Sequence, residues 1–504
     1  MSSSNLSHSE SVGLFDRAHG VPNRAAVWSN HQPRTYADLL DASARVAGWL
    51  LDGAGDLAEA RVGFLIPPEF DHVAVQWGIW RAGGIAVPLA LSHPPRELEY
   101  TLDDAQVSIA IAAPDLADRL ESIGRTRGIR FGTTPAALAT AVPSRLPDIT
   151  ARRRAQIIYT SGTTGRPKGV VSTQASIAAM AGTLAEAWRW VPSDRSLHVL
   201  PLHHVHGIIN ALTCALWAGA AVEFLHPFDP VACWERLASG DITFFTAVPT
   251  IYARLVSAWE AADPATRSRW SAGARRLRVM LSGSAALPVA TLIRWEELTG
   301  HRLLERYGMT EIGMALSNPM DRERRPGTVG EPFQNVQVRL VDEVGHPVTP
   351  GTPGEIEIKG PQVFTEYWNR PEETAKAFRD GWFMTGDVAV LESGYYRILG
   401  RQSMDIIKSA GYKISALEIE ELLREHPGIA DAAVVALPDP DLGERIACAV
   451  VARDGKPGDV EALRGWLKER LAAYKVPREV RFVAELPRNA MGKVTKPEVK
   501  ALFA

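Results

Sequence analysis

The sequence predicts an α/β protein: a large N-terminal domain of mostly parallel sheets flanked by helices, followed by a small α+β C-terminal domain. Three observations lead there. At 504 residues the chain exceeds a single ordinary hydrophobic core. Up to about residue 325, short apolar runs alternate with stretches of helical spacing, the pattern of a parallel sheet with crossover helices. Beyond that point the chain turns to hairpin-like strands joined by Gly/Pro turns.

In order, the strand candidates are 61–67 (RVGFLIP), 84–89 (GIAVPL), 107–113 (VSIAIAA), 220–225 (AAVEFL), 242–249 (ITFFTAVP) and 277–284 (LRVMLSGS), with helical spacing at 69–81 and 251–261. Residues 336–360 and 381–400 read as hairpins. Ser415 and Glu418 then form a capping-box pattern before the apolar stripe Ile419, Leu422 and Leu423. Two further strand candidates, IADAAVVALP and RIACAVVAR, and a helix at 460–472 complete a compact C-terminal unit. The boundary is expected at 400–405, giving an N-terminal domain of residues 1–400 and a C-terminal domain of 401–504.

Apolar content of 46%, charged content of 22% and a net charge of −3 are those of a globular protein without a basic face for a nucleic-acid backbone. Cys214, Cys233 and Cys448 are odd in number and widely spaced, so neither a disulfide framework nor a zinc site follows and a reducing compartment fits. The N-terminus lacks the basic start and apolar run of a secretory signal, and Glu10 and Asp16 argue against a mitochondrial address. The longest apolar stretch, 207–225, is interrupted by Asn210, Thr213 and Glu223 and reads as a buried helix and strand rather than a membrane span. A cytoplasmic protein without a membrane span is expected.

The chemistry begins at IIYTSGTTGRPKGVV, residues 157–171. Small hydroxylated residues, glycines and Lys168 offer backbone N–H groups, hydroxyls and a charge to an anion. Lys168 is followed by Gly169, so the G-x-x-x-x-G-K-[ST] mononucleotide loop is excluded.

YTSGTTGRPKGV resembles the signature of the adenylate-forming superfamily of acyl-CoA synthetases, luciferases and peptide-synthetase adenylation domains. PLHHVHG (201–207), GSAAL (283–287), ERYGMTE (305–311), TGD (385–387), GR (400–401), GYKISALEIE (411–420) and PRNAMGKV (487–494) follow in that family's order. The resemblance implies a small mobile domain that rotates over a site at the edge of the large one. It also implies a two-step reaction: a carboxylate attacks the α-phosphorus of ATP, releasing pyrophosphate, and a thiol then displaces AMP.

It further implies roles. Thr160, Ser161, Gly162, Thr163, Thr164, Gly165 and Lys168 would hold the β and γ phosphates. Thr310 would meet the α-phosphate, and Glu311 would bind Mg²⁺. Gly283, Ser284, Ala285, Tyr307, Gly308 and Met309 would border the nucleotide, while Asp387, with Arg401 beside it, would take the ribose hydroxyls. Lys493 would bridge carboxylate and α-phosphate, although such a lysine read alone is a solvated one. His204 matches a catalytic position of the family. Backbone near Gly411 would line the thiol tunnel, with Lys408 and Lys413 near CoA phosphates or simply solvated. The hinge is expected within Ser403–Asp405, where this chain has Ser403 in place of the family's usual Asp or Lys and carries one extra residue before Gly411.

Arg306, just before Y-G-M-T-E, places a guanidinium where many fatty-acid relatives carry a small or amide residue. A second carboxylate on the acid best accounts for it. ERYGMTEIGMALSNP and LPLHHVHG resemble the malonyl-CoA synthetase branch, so the expected substrates are malonate (or methylmalonate), ATP and CoA. Arg306 and Arg254 are the first choices for the distal carboxylate, with His206 and Ser282 assisting. The rival readings are a short- or medium-chain monocarboxylate:CoA ligase, a loader of a separate carrier protein, and a non-catalytic nucleotide sensor. No nucleic acid and no obligatory protein partner is expected.

Overall fold

The computed structural model describes residues 13–29, 32–160, 167–409, 412–489 and 492–504. A large N-terminal domain of mostly parallel sheets is followed by a smaller C-terminal one. The first sheet has nine strands. Ala25–Ser29, Ala221–Phe224, Arg195–His198, Phe244–Ala247, Val279–Ser282 and Leu304–Tyr307 pair in parallel in that spatial order, and antiparallel partners close both edges. The second has seven strands, with Arg61–Leu65, Ile85–Pro88, Ile109–Ala112, Arg130–Thr133 and Arg154–Thr160 in parallel and Lys168–Thr173 antiparallel to the last. All six apolar runs of the N-terminal half are strands, because sheets covered on both faces demand continuous Val/Ile/Leu-rich segments. The helical spacings become Phe70–Arg81 and Pro249–Ala261.

The third sheet is antiparallel, with Gln337–Val341, Gly354–Lys359, Trp382–Glu392 and Tyr395–Arg401 forming the expected hairpins. The fourth belongs to the small domain. There Ile429–Asp439 and Gly443–Ala452 run antiparallel over their whole length beside the helix Ala416–Glu425.

Two expectations are corrected. The helix expected at 460–472 ends at Lys468. The capping box is half made: the Ser415 side chain accepts from the Glu418 N–H, but the Glu418 carboxylate takes Lys475 instead, at 2.7 and 2.8 Å. The apolar stretch from 207 begins as a π-helix, His206–Thr213, before Cys214–Trp217 and the strand Ala221–Phe224. A π-turn widens the spacing of side chains along a helix, a form that concentrates at functional sites. Among the described residues no helix is long and apolar enough to cross a membrane. All three cysteines are buried and free.

The third sheet ends at Arg401 and the fourth begins at Ile406. Gly400, at φ +126°, is required there, since a Cβ would come within 2.4 Å of the Asp405 Cβ. Asp405 Oδ2 accepts the Arg401 N–H at 3.0 Å, and Oδ1 lies 3.4 Å from the Lys496 ammonium. Lys496 is buried, ion-paired to buried Glu420 and donating to the Val434 carbonyl. The Asp405 carboxylate is thus anchored in the small domain.

Glu305, on the strand Leu304–Tyr307, is buried beside the small domain. Burial pushes its carboxyl up to about 8, the Gly327 N–H at 3.1 Å partly opposing this and the charge of Glu421 adding to it. The folded protein keeps that proton to about pH 8 while the unfolded chain releases it near 4.5, so stability falls as pH rises between the two. Glu305→Gln retains an acceptor for Gly327. It is expected to melt roughly 2 °C or more above the parent at pH 8 and level with it at pH 4.5; thermal melts at both pH values check this.

Candidate active site

The parallel strands bring their carboxyl ends together, the place where open α/β sheets bind ligands. Ala247 is level with Ser282, and Ser282 with Glu305, so Val248, Gly283 and Arg306 follow at one edge. There Arg306 is 4% exposed, and its Nε and Nη2 have no hydrogen-bond partner. Burial lowers its pKa to about 9. The guanidinium lies flat against Gly283, where a Cβ would sit 2.3 Å from Nη1.

Around it are small hydroxyls and one imidazole. His206, fully buried on the π-helix, meets the Thr246 hydroxyl through Nε2 at 2.9 Å and the Ser284 hydroxyl through Nδ1 at 3.0 Å. Burial and then the charge of Arg306 push its pKa well down, so the ring is neutral. Ser282 is 1% exposed and its hydroxyl has no partner. Ser284 has φ +70°, a conformation that costs a non-glycine residue energy and is characteristic of ligand sites. Its hydroxyl faces His206, while Ala285 is exposed. Arg254 does not join this group. It lies on the exposed face of its helix with its guanidinium 5.0 Å above the Phe228 ring.

Two of the nucleotide candidates meet at Asp387. Its Oδ2 accepts from the Tyr307 hydroxyl at 2.6 Å and its Oδ1 from the Arg401 Nε–H at 3.0 Å. The register of the third sheet sets this pair, with Asp387 directly opposite Arg401. Gly308 lets the chain pass the Gly313 carbonyl, 1.9 Å from where a Cβ would be, and Met309 packs on the core. Thr310 is half-buried at this edge.

Glu311 is 6% exposed, its carboxyl raised chiefly by burial, and it accepts the Tyr367 hydroxyl at 3.0 Å. No group of three His, Cys, Asp or Glu side chains able to cage a metal exists among the described residues. A lone buried carboxylate fits Mg²⁺, which keeps octahedral oxygen ligands and takes most of them from phosphates and water. Thr160 and Lys168 face each other across the stem of the 161–167 segment, and Lys168 is ion-paired to Glu373, 5.1 Å above the Tyr367 ring.

Lys493 arrives from the small domain. Its loop closes through Asn489, which takes the Lys493 N–H on Oδ1 at 3.0 Å, and Gly492 passes Thr250 at the start of Pro249–Ala261. Its pKa is lowered first by burial, then by Arg401, with Asp387 opposing and Arg306 adding, so it lies in the field of both side-chain groups. His204 titrates at about 4, because of burial and then Lys493, and its Nε2 has no partner. Lys408 is 58% exposed, 3.5 Å from Glu343, away from these groups. Ser161–Gly165, Gly411 and the side chain of Lys413 lie outside the described residues.

Sequence reading missed Tyr367, Glu373, Thr246 and the connection of Asp405 through Lys496 to Glu420. Tyr367 and Glu373 belong to TEYWNRPEET, which carries no chemistry-bearing pattern of its own. Thr246 sits inside an apolar run whose pattern reports only a strand.

The chain matches the AMP-binding enzyme family over residues 14–368 and the AMP-binding enzyme C-terminal domain over 418–493. It is 44% identical to the mitochondrial malonate–CoA ligase ACSF3 of Homo sapiens over 96% of this chain and 91% of that protein. It is 40% identical to a malonate–CoA ligase of Arabidopsis thaliana over 96% and 87%. Among solved structures, ATP-bound MatB from Rhodopseudomonas palustris superposes with a TM-score of 0.90 at 34% identity, covering 98% of this chain and 99% of that one. These similarities make the chain a member of the AMP-binding enzyme family.

Proposed function

We propose that the protein is an ATP-dependent malonate:CoA ligase, forming malonyl-AMP and pyrophosphate and then malonyl-CoA and AMP. The observation that carries the malonate reading is Arg306. A guanidinium at 4% exposure with two unpartnered nitrogens costs several kcal/mol to leave buried alone. A second carboxylate, clamped bidentately and flanked by Ser282, is the ligand that offsets this. Acetate or butyrate would leave the charge stranded. The malonate–CoA ligases among its relatives support the same choice.

In this reading Lys493 sits between the reacting carboxylate and the α-phosphate, reducing their repulsion where charge builds up. Neutral His204 offers its free nitrogen at the same place. Asp387 accepts the ribose hydroxyls with Arg401 holding its orientation, and the 160–168 segment grips the departing pyrophosphate. Mg²⁺, held by Glu311 and the phosphates, would neutralise the triphosphate. We place the domain boundary at 400/401 and the hinge within Ser403–Asp405. Lys408 and Gly411 are assigned to the CoA path, and the protein is assigned to the cytoplasm, where three free thiols remain reduced.

With Mg-ATP and CoA, AMP release is expected to be faster with malonate than with acetate, succinate or octanoate by tenfold or more, about 1.4 kcal/mol. Arg306→Ala should lower kcat/KM for malonate roughly 30-fold or more while changing the KM for ATP little. An unchanged malonate-to-butyrate ratio would remove Arg306 from the acid pocket. Gly283→Ala, whose Cβ would displace the guanidinium, should show the same selective loss in the same assay. Lys493→Ala is expected to abolish malonate-dependent pyrophosphate exchange yet still thiolate supplied malonyl-adenylate; parallel loss of both half-reactions would refute its role.

A further inference from the structure

Lys168 has an anion partner within the protein. Its ammonium, 31% exposed, is ion-paired to Glu373 Oε2, on a side chain 39% exposed, in a segment remote in sequence. The two sit across the mouth of the site, with the Tyr367 ring beneath the ammonium and the Tyr367 hydroxyl reaching back to Glu311.

Glu373 also has a second cation in reserve. Arg370 Nε lies 3.6 Å from its Oε1, and Arg370 is itself held by Asp104 at 2.8 Å, while Asp104 accepts the Tyr159 hydroxyl at 2.8 Å on the strand that enters the phosphate loop. The carboxylate can therefore give up Lys168 without being left unpaired. The lysine, by contrast, is offered no second carboxylate among the described ion pairs. The exchange of partners is thus built for the lysine to move and the carboxylate to stay.

We propose that Glu373 is a positioning residue that acts as an intramolecular counter-anion for Lys168, occupying it between turnovers and competing with the β and γ phosphates of ATP and with pyrophosphate for it. The inference rests on the reading of Lys168 as a polyphosphate ligand. It accounts for how a site that must bind a highly charged triphosphate also releases pyrophosphate: as the product departs, Glu373 replaces it on the lysine, so the ammonium is never stripped of a partner. A partly exposed pair is weak, which suits a competitor that must yield to a polyphosphate.

The test is a double-mutant cycle read by equilibrium binding of Mg-ATP and of inorganic pyrophosphate to the full-length protein. Glu373→Gln is expected to tighten both about 2- to 5-fold, the range such a pair supplies, and to lower the inhibition constant of pyrophosphate in turnover. In a Lys168→Ala background the same substitution should have no effect. Unchanged or weaker binding by Glu373→Gln, or equal tightening without Lys168, would overturn the proposal. If Lys168→Ala itself leaves both affinities unchanged, the polyphosphate role of Lys168 fails instead, and the competition falls with it.

Discussion

A guanidinium removed from water, with no anion on it among the described residues, dominates the edge formed by the strand ends. Arg306 can lie where it does only because residue 283 has no side chain, and its positive field is one reason His206 stays neutral. The small hydroxyls nearby, Ser282, Ser284 and Thr246, neither cancel its charge nor crowd it. A carboxylate at this place would have made a closed ion pair and an inert core. In the malonate reading, small neutral neighbours leave the charge for a ligand, and a destabilising group becomes a selectivity device.

The same economy of partners runs from the nucleotide side into the small domain. Tyr307 and Arg401 share Asp387, the Arg401 N–H is taken by Asp405, and Asp405 meets Lys496 and so Glu420. Lys496 lies three residues beyond Lys493 on the same terminal segment. The placement of the Lys493 loop is therefore connected, bond by bond, to Asp387. Each link is directional, and the Ser415 hydroxyl on the Leu399 carbonyl and the Lys408–Glu343 ion pair also tie the small domain to the large one, so a shift of the small domain must break definite bonds.

Much of this was legible in the sequence. Alternating apolar runs marked six strands of the two large sheets because doubly covered sheets require them, and Gly/Pro turns marked the antiparallel third sheet. Lys493, Asp387 and Arg401 were singled out by their places in motifs that resemble a family's, and Arg306 by its place before Y-G-M-T-E; the fold sets Asp387 opposite Arg401 and buries Arg306. What failed did so for local reasons. Glu418 satisfied a capping pattern by spacing but found a stronger partner in Lys475, 57 residues away. Arg254 had the right helical offset from the strand end, but rotation about the helix axis carried it to the exposed face over Phe228.

By itself, then, the sequence determined the fold class, the order of motifs and the residue types available for adenylation, because hydrophobic periodicity and short motifs are properties of neighbours along the chain. Only the tertiary structure decided that Arg306 is buried without an anion, that Lys168 rests on Glu373, that Tyr367 links Glu311 to that lysine, and that Asp405 belongs to the small domain. Those pairs are separated by tens to hundreds of residues. Which charge meets which depends on strand register and side-chain burial, and neither is encoded in any local stretch.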